Sequence, residues 1–219
     1  DEIERAKATM DEPTFKTEFL ADFVSTGNRA AYNFDRKVHV KQADELTEDI
    51  WFGMDMNVDY MTACLGCSYS DGTIHYFHEI RLSNSNTDEM AREMKKIAPG
   101  ITVYPDATGS ARSTTSNRSD HQILRDHGFN VISRKANPPI IDRLNALNRM
   151  LLDANGKVRM TIDPSCQHLI KDLEQVQRSR DGKIEKLKDI SLSHALDACS
   201  YYIALRHPVV KRLAVSQQW

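Results

Sequence analysis

No apolar run in this chain approaches the roughly 20 residues that a bilayer-spanning helix needs, so no membrane span is expected. The start, Asp1-Glu-Ile-Glu-Arg5, is acidic and polar where a secretory leader is basic and then apolar, and it does not begin with Met. An intracellular protein, seen as a fragment or a processed chain, is the expectation. Four cysteines (Cys64, Cys67, Cys166, Cys199) among 219 residues are too few for a disulfide scaffold and suit a reducing compartment. There is no low-complexity tract and no internal repeat, which excludes a disordered chain and a solenoid. A net charge of -2 argues against coating nucleic acid by bulk charge, because such domains are strongly basic. The phosphate-cradling pattern Gly-x-x-x-x-Gly-Lys-Ser/Thr is missing as well, so any ATP chemistry lies outside this chain.

What is present is an ordinary globular composition, long enough for one core plus an appendage. A carboxylate-lined metal site adds negative charge that bound cations cancel, so the charge balance leaves a nuclease open. Residues 1–50 are acid-rich whereas Lys and Arg prevail from 134 to 188, which directs any DNA to the second half.

Residues 1–44 read as a connector, helical over the first 30, with Phe15, Phe19, Leu20 and Phe23 in a short apolar stripe before Gly27. Three extended stretches follow, Ile50 to Met56, Tyr60 to Tyr69 and Thr73 to Leu82. Their short, turn-forming gaps imply an antiparallel meander. Next come a helix from Thr87 to Ile97, a strand from Ile101 to Tyr104, a helix near Ser119 to His127 and a strand from Phe129 to Ser133. Such long intervals between strands imply parallel crossovers. Three further helices are expected, from Asn137-Pro-Pro to about Leu152, Pro164 to Val176 and Ser193 to Arg206. Arg180-Asp-Gly-Lys183 is a two-residue hairpin turn in a basic setting. The predicted fold is α/β: a mixed sheet, with a three-strand antiparallel meander plus parallel strands, flanked by helices over 45–219, and an added β-hairpin.

Asp55 lies in Trp51-Phe-Gly-Met-Asp-Met56, an otherwise apolar strand expected at the sheet centre. A lone carboxylate there costs several kcal/mol unless something positive meets it, so a metal ion is suspected; a strand-end Asp turned to solvent is the alternative. Asp106 follows a strand that should be parallel, at the carboxyl end where open α/β sheets form crevices, although Pro-Asp-x-x-Gly is also ordinary turn chemistry. His194 and Asp197 are three apart and share a helix face; simple capping by Ser191 or Ser193 with an acid in the first turn also accounts for them. Together the three acids form an oxygen donor set that suits two Mg²⁺ or Mn²⁺ ions in phosphodiester cleavage.

These residues also carry a resemblance. The element order with Asp55 in the first strand resembles the ribonuclease H-like superfamily, and the details are similar to the C-terminal nuclease domain of tailed-phage large terminase subunits. The matching stretches are Phe15-Lys-Thr-Glu-Phe-Leu-Ala-Asp-Phe23, Gly53-Met-Asp55, Val103-Tyr-Pro-Asp106 and His194-Ala-Leu-Asp-Ala-Cys-Ser-Tyr201, spanning nearly the whole chain. The resemblance implies an endodeoxyribonuclease that cuts concatemeric double-stranded DNA during genome packaging, in the cytoplasm of an infected bacterial host. It implies catalytic metal ligands at Asp55, Asp106 and Asp197, with His194 as a further ligand or orienting group. It also implies a preceding ATPase domain in the same full-length chain, a small terminase subunit and a portal as partners, and a DNA-contacting hairpin bearing Arg178, Arg180, Lys183, Lys186 and Lys188.

Other readings remain. Another ribonuclease H-like enzyme, a junction resolvase or an RNA-strand nuclease, would share the acids, and a catalytically silent docking module would use them only as surface or capping groups. Cys64 and Cys67 have zinc-like spacing, but i and i+3 on a strand face opposite ways. His75 and His78 are expected at surface positions along a strand edge.

Overall fold

The computed structural model describes residues 2–12, 15, 28–111, 118–179, 183–185 and 189–209. Among the described residues, helices α1 (Glu2–Thr9) and α2 (Arg36–His39) precede the sheet. The meander is β1 (Ile50–Asp55), β2 (Tyr60–Ser68) and β3 (Ile74–Ser83), paired antiparallel in sequence order as the short turns require. Helix α3 (Thr87–Ile97) crosses over to β4 (Thr102–Pro105), and α4 (Asp120–Asp126) crosses over to β5 (Asn130–Val131). Both crossovers give parallel pairing, β4 on β1 and β5 on β4. Helix α5 (Ile140–Leu151), strand β6 (Met160–Ile162), helix α6 (Gln167–Gln175) and helix α7 (His194–Arg206) complete the order. The sheet runs β5-β4-β1-β2-β3-β6, mixed and flanked by helices as expected. Strand β6, parallel to β3, was not anticipated; three residues are too few to display a period. Among the described residues no helix is long and apolar enough to cross a membrane.

Alternation along β1 sends its residues to two separate cores. Trp51 joins Cys64, Tyr76, Tyr104 and residues of α5, α6 and α7 on one face, while Phe52 and Met54 join Met61, Leu65, Met90, Met94 and Leu124 under α3 and α4 on the other. Asp55 has the parity of Trp51 and faces α7. Helix α7 carries no apolar stripe because ten of its residues are buried, as suits a helix enclosed on most sides. Strand β3 contains a bulge: the register passes from Leu65↔His78 to Gly66↔Tyr76, leaving Phe77 unpaired. The extra residue swaps the faces, so Tyr76 and Ile80 enter different cores and Glu79 turns towards α6.

Within the stretch read as a connector, Ala30, Ala31 and Phe34 lie in the larger core. Buried Asn148 of α5 holds them, donating to the Ala30 carbonyl and accepting from the Asn33 amide. Phe19, Leu20, Phe23 and Gly27 lie outside the described residues. Of the basic hairpin, the arms pair through an Arg178↔Ile184 bridge and Ser179 N–H donating to Lys183 O at 2.8 Å, and the turn residues lie outside the described set. His75 corrects an expectation. It is 1% exposed, bonded through Nδ1 to Thr161 of β6, because the unanticipated strand covers what had looked like an edge. His78, beyond β6, is exposed as expected.

Candidate active site

Helix α7 lies directly on β1 because residue 53 has no side chain. A Cβ on Gly53 would stand 2.2 Å from the Ala198 carbonyl oxygen, far inside contact distance. That close approach brings the first turn of α7, with His194 and Asp197, over the carboxyl end of β1, where Asp55 stands. The adjacent parallel strand β4 ends at the same level. The amide of Asp106 donates to the Met54 carbonyl at 3.0 Å, setting the two acids on neighbouring strand ends.

The start of α7 is capped from outside. Ser193 makes no side-chain cap and takes φ 80, a left-handed conformation that costs a residue with a Cβ on the order of 1 kcal/mol. The capping expected of Ser191 or Ser193 is supplied instead by Asp172 of α6, whose Oδ2 accepts from the amides of Ala195 at 2.9 Å and Leu196 at 3.1 Å. Helix α6 is in turn capped by Glu79 of β3, which accepts from the amides of His168 and Leu169. The backbone before the helix is held by Arg81, which donates to the Ser191 carbonyl and lies over the Tyr60 ring, 4.4 Å from its centroid. His194 and Asp197 of α7 are therefore positioned by a relay from sheet to α6 to α7.

His194 Nδ1 is 2.9 Å from Asp55 Oδ2, and its Nε2 is 3.0 Å from the Ile190 carbonyl. A carbonyl only accepts, so Nε2 carries a proton, and Nδ1 shares a second one with the carboxylate. Burial pushes the Asp55 carboxyl up to about 6, with the carboxylates of Asp197 and Asp106 adding to the rise and His194 opposing it. Burial works against the imidazolium of His194, but the bonds to Asp55 and Ile190 outweigh it and its pKa rises.

Asp197 Oδ1 accepts from Arg143 Nη1 at 2.6 Å, and its side chain is 18% exposed. Burial raises its pKa despite Arg143. Asp106 behaves oppositely. Burial alone would raise it, but bonds from the Thr108 amide, Asn137 Nδ2 at 2.6 Å and the Tyr201 hydroxyl at 3.1 Å hold it below the ordinary value. Asp55, Asp106 and Asp197 thus form one electrostatic cluster, each opposing ionisation of another.

Neither a scan against protein-family models nor a search of curated proteins returns a match. Solved structures do match. The nuclease domain of the P22 large terminase superposes with TM-score 0.65 at 15% identity, covering 84% of this chain and 96% of that one. The large terminase of a thermophilic bacteriophage, solved in complex with ADP, gives TM-score 0.69 at 18% identity over 92% of this chain. This is the fold of a large-terminase nuclease domain. The chain spans only about half of that thermophilic phage protein, 50% of its length.

On this terminase-nuclease fold the three predicted acids and His194 do gather at one end of the sheet. Among the described residues, however, no three His, Cys, Asp or Glu side chains lie close enough together to hold one metal ion. Each acid is instead engaged by the protein, through His194, Arg143 or the bonds to Asp106. Of the basic residues predicted on the hairpin, Lys183 is exposed and the Arg178 guanidinium lies 4.9 Å from the Tyr32 ring centroid. Arg180, Lys186 and Lys188 lie outside the described residues. Cys64 is buried and approaches the Ala195 carbonyl, a packing role. Sequence reasoning missed Arg143, Asn137 and Asp172. A signal existed for two of them: Arg143 and Asp172 interrupt the apolar stripes of their helices, at i−4 from Leu147 and i+3 from Leu169.

Proposed function

We propose that the chain is a divalent-cation-dependent endonuclease for double-stranded DNA, with Asp55, Asp106 and Asp197 as its catalytic acids. The observation that carries this is the meeting of three carboxylates at the carboxyl ends of β1 and β4 and the first turn of α7, on a terminase-nuclease fold. The donor chemistry suits a hard cation, although the three acids would have to draw closer than they stand here to share one ion: all three are oxygen ligands, and their mutual repulsion and the raised Asp55 would be relieved by positive charge. Asp55 Oδ1 and Asp197 Oδ2 accept no hydrogen bond among the described residues and are the oxygens to offer, with His194 orienting Asp55, while Asp106, whose oxygens accept from Thr108, Asn137 and Tyr201, would have to shift to complete the set. Bound Mg²⁺ or Mn²⁺, one ion or two, would lower the pKa of water and offset charge on the leaving oxygen. The protein's own part is positional: Gly53 seats α7, Asp172 fixes its first turn, Asn137 and Tyr201 hold Asp106, and His194 keeps a proton on the Asp55 side.

By the same likeness we assign a role in cutting concatemeric viral DNA during packaging, in the cytoplasm of an infected bacterium. Residues 1–44 would lead from an ATP-hydrolysing domain of the full-length chain, with the small terminase subunit and the portal as partners. Arg178, Arg180, Lys183, Lys186 and Lys188 would meet phosphate, which positions a duplex without reading its sequence. The test is conversion of supercoiled plasmid to nicked and linear forms. Activity is expected with Mn²⁺ or Mg²⁺ and not with EDTA, and Asp55→Asn is expected to remove it; cleavage retained by that variant sinks the assignment. One observation favours a second reading. Because each acid already has a protein partner, a docking module that binds no metal would keep this same arrangement, and it would show no heat on calorimetric titration with Mn²⁺.

A further inference from the structure

We propose that Arg143 is a built-in counter-ion of the carboxylate cluster, a positioning residue that holds Asp197 in place before a divalent cation binds and then competes with that cation. The second half of this rests on the cation-site reading above. Arg143 lies on α5 among Leu144, Leu147, Met150 and Leu151, where an apolar side chain would be the simpler choice. Its side chain is 7% exposed, and burying a guanidinium is unfavourable unless specific partners meet it. Nη1 divides between Asp197 Oδ1 at 2.6 Å and Ser200 Oγ at 2.7 Å, and the guanidinium carbon is 4.6 Å from the Tyr201 ring centroid. Nε is buried with no partner at all among the described residues. The fold therefore accepts an orphaned donor in order to deliver this charge to one turn of α7.

That turn serves two acids. Asp197 is held directly, and Tyr201, packed under the guanidinium, donates to Asp106. With Oδ1 occupied, Asp197 keeps only Oδ2 without a hydrogen bond among the described residues. A cation arriving there meets a carboxylate already half neutralised by a charge that salt screens poorly. The cluster thus stays folded without metal and binds metal less tightly than three unpaired acids would.

The test is to titrate Mn²⁺ calorimetrically into the wild type, R143K and R143M, and to melt each in EDTA and in excess Mn²⁺. R143M is expected to melt about 10 °C below the wild type in EDTA and to recover most of that in Mn²⁺. It is also expected to bind Mn²⁺ about tenfold more tightly, while R143K, which keeps the charge, stays near the wild type in affinity. In EDTA the double variant R143M/D197N should melt above R143M, since both charges leave together. Equal losses in EDTA and Mn²⁺ with unchanged affinity overturn the proposal, as does a double variant no more stable than R143M. Should R143M be unfolded in EDTA, folding in Mn²⁺ supports the proposal and failure to fold in either overturns it. If the wild type binds no Mn²⁺, the cation-site reading fails by itself, and the EDTA comparison of R143M with R143M/D197N decides the counter-ion role alone.

Discussion

Gly53→Ala isolates the contact on which the site depends. The added methyl would lie 2.2 Å from the Ala198 oxygen, 3.1 Å from the Ala198 carbon and 3.7 Å from Cys199 Cα, all backbone atoms of a buried helix that cannot rotate away. Restoring an ordinary separation of about 3.4 Å requires α7 and β1 to part by about 1.2 Å. Overpacking of this kind costs about 1–3 kcal/mol, which for a domain of this size lowers Tm by about 2–4 °C per kcal/mol. The functional loss should be larger than the stability loss. His194 and Asp197 ride on α7 while Asp55 rides on β1, and a misplacement of about 1 Å in a catalytic constellation costs about 100-fold in rate. Thermal melts with a plasmid-cleavage assay at a temperature where the variant remains folded separate the two effects. A variant with wild-type Tm and wild-type cleavage would refute the claim that this glycine seats the acids.

Two further outcomes follow from the groups around the site. Burial pushes the Asp172 carboxyl up to about 6 against the amides it caps, from an ordinary 3.8. A folded value above the unfolded one means that the native state binds the proton more tightly. The contribution, about 3 kcal/mol, is therefore complete below about pH 4 and is lost as pH rises towards about 6. Asp172→Asn, which keeps an acceptor for Ala195 and Leu196, should flatten the Tm profile between about pH 4 and 6 in EDTA; an unchanged slope would count against this assignment. Tyr201→Phe removes the 3.1 Å bond to Asp106. It should cost about 1 kcal/mol and raise the Asp106 pKa, read by carboxyl NMR titration, and a value that stays put would remove Tyr201 from the group that holds this acid.

Where the physics was local, the chain announced its structure. The two-residue period and short turns of the meander, the crossover helices ending near Pro99-Gly100 and His127-Gly128, and an aspartate inside an apolar strand were all legible, because periodicity and desolvation act within a few residues. Strand β6 was not, since it has three residues and exists only because β3 offers an edge. The burial of His75 followed from the same hidden pairing. Nor could serine be excluded as the cap of α7, because Asp172 is distant in sequence and meets those amides only after α6 packs.

The sequence by itself determined the strand-end and helix-start settings of Asp55, Asp106 and Asp197 and the mixed α/β sheet that carries them. Only the tertiary structure decided how those acids are held. The approach of Ala198 to Gly53, the pairing of Arg143 with Asp197 and the bond from His194 to Asp55 join residues far apart in the chain. Their energies come from burial and charge in a common low-dielectric space that exists only once the helices close on the sheet.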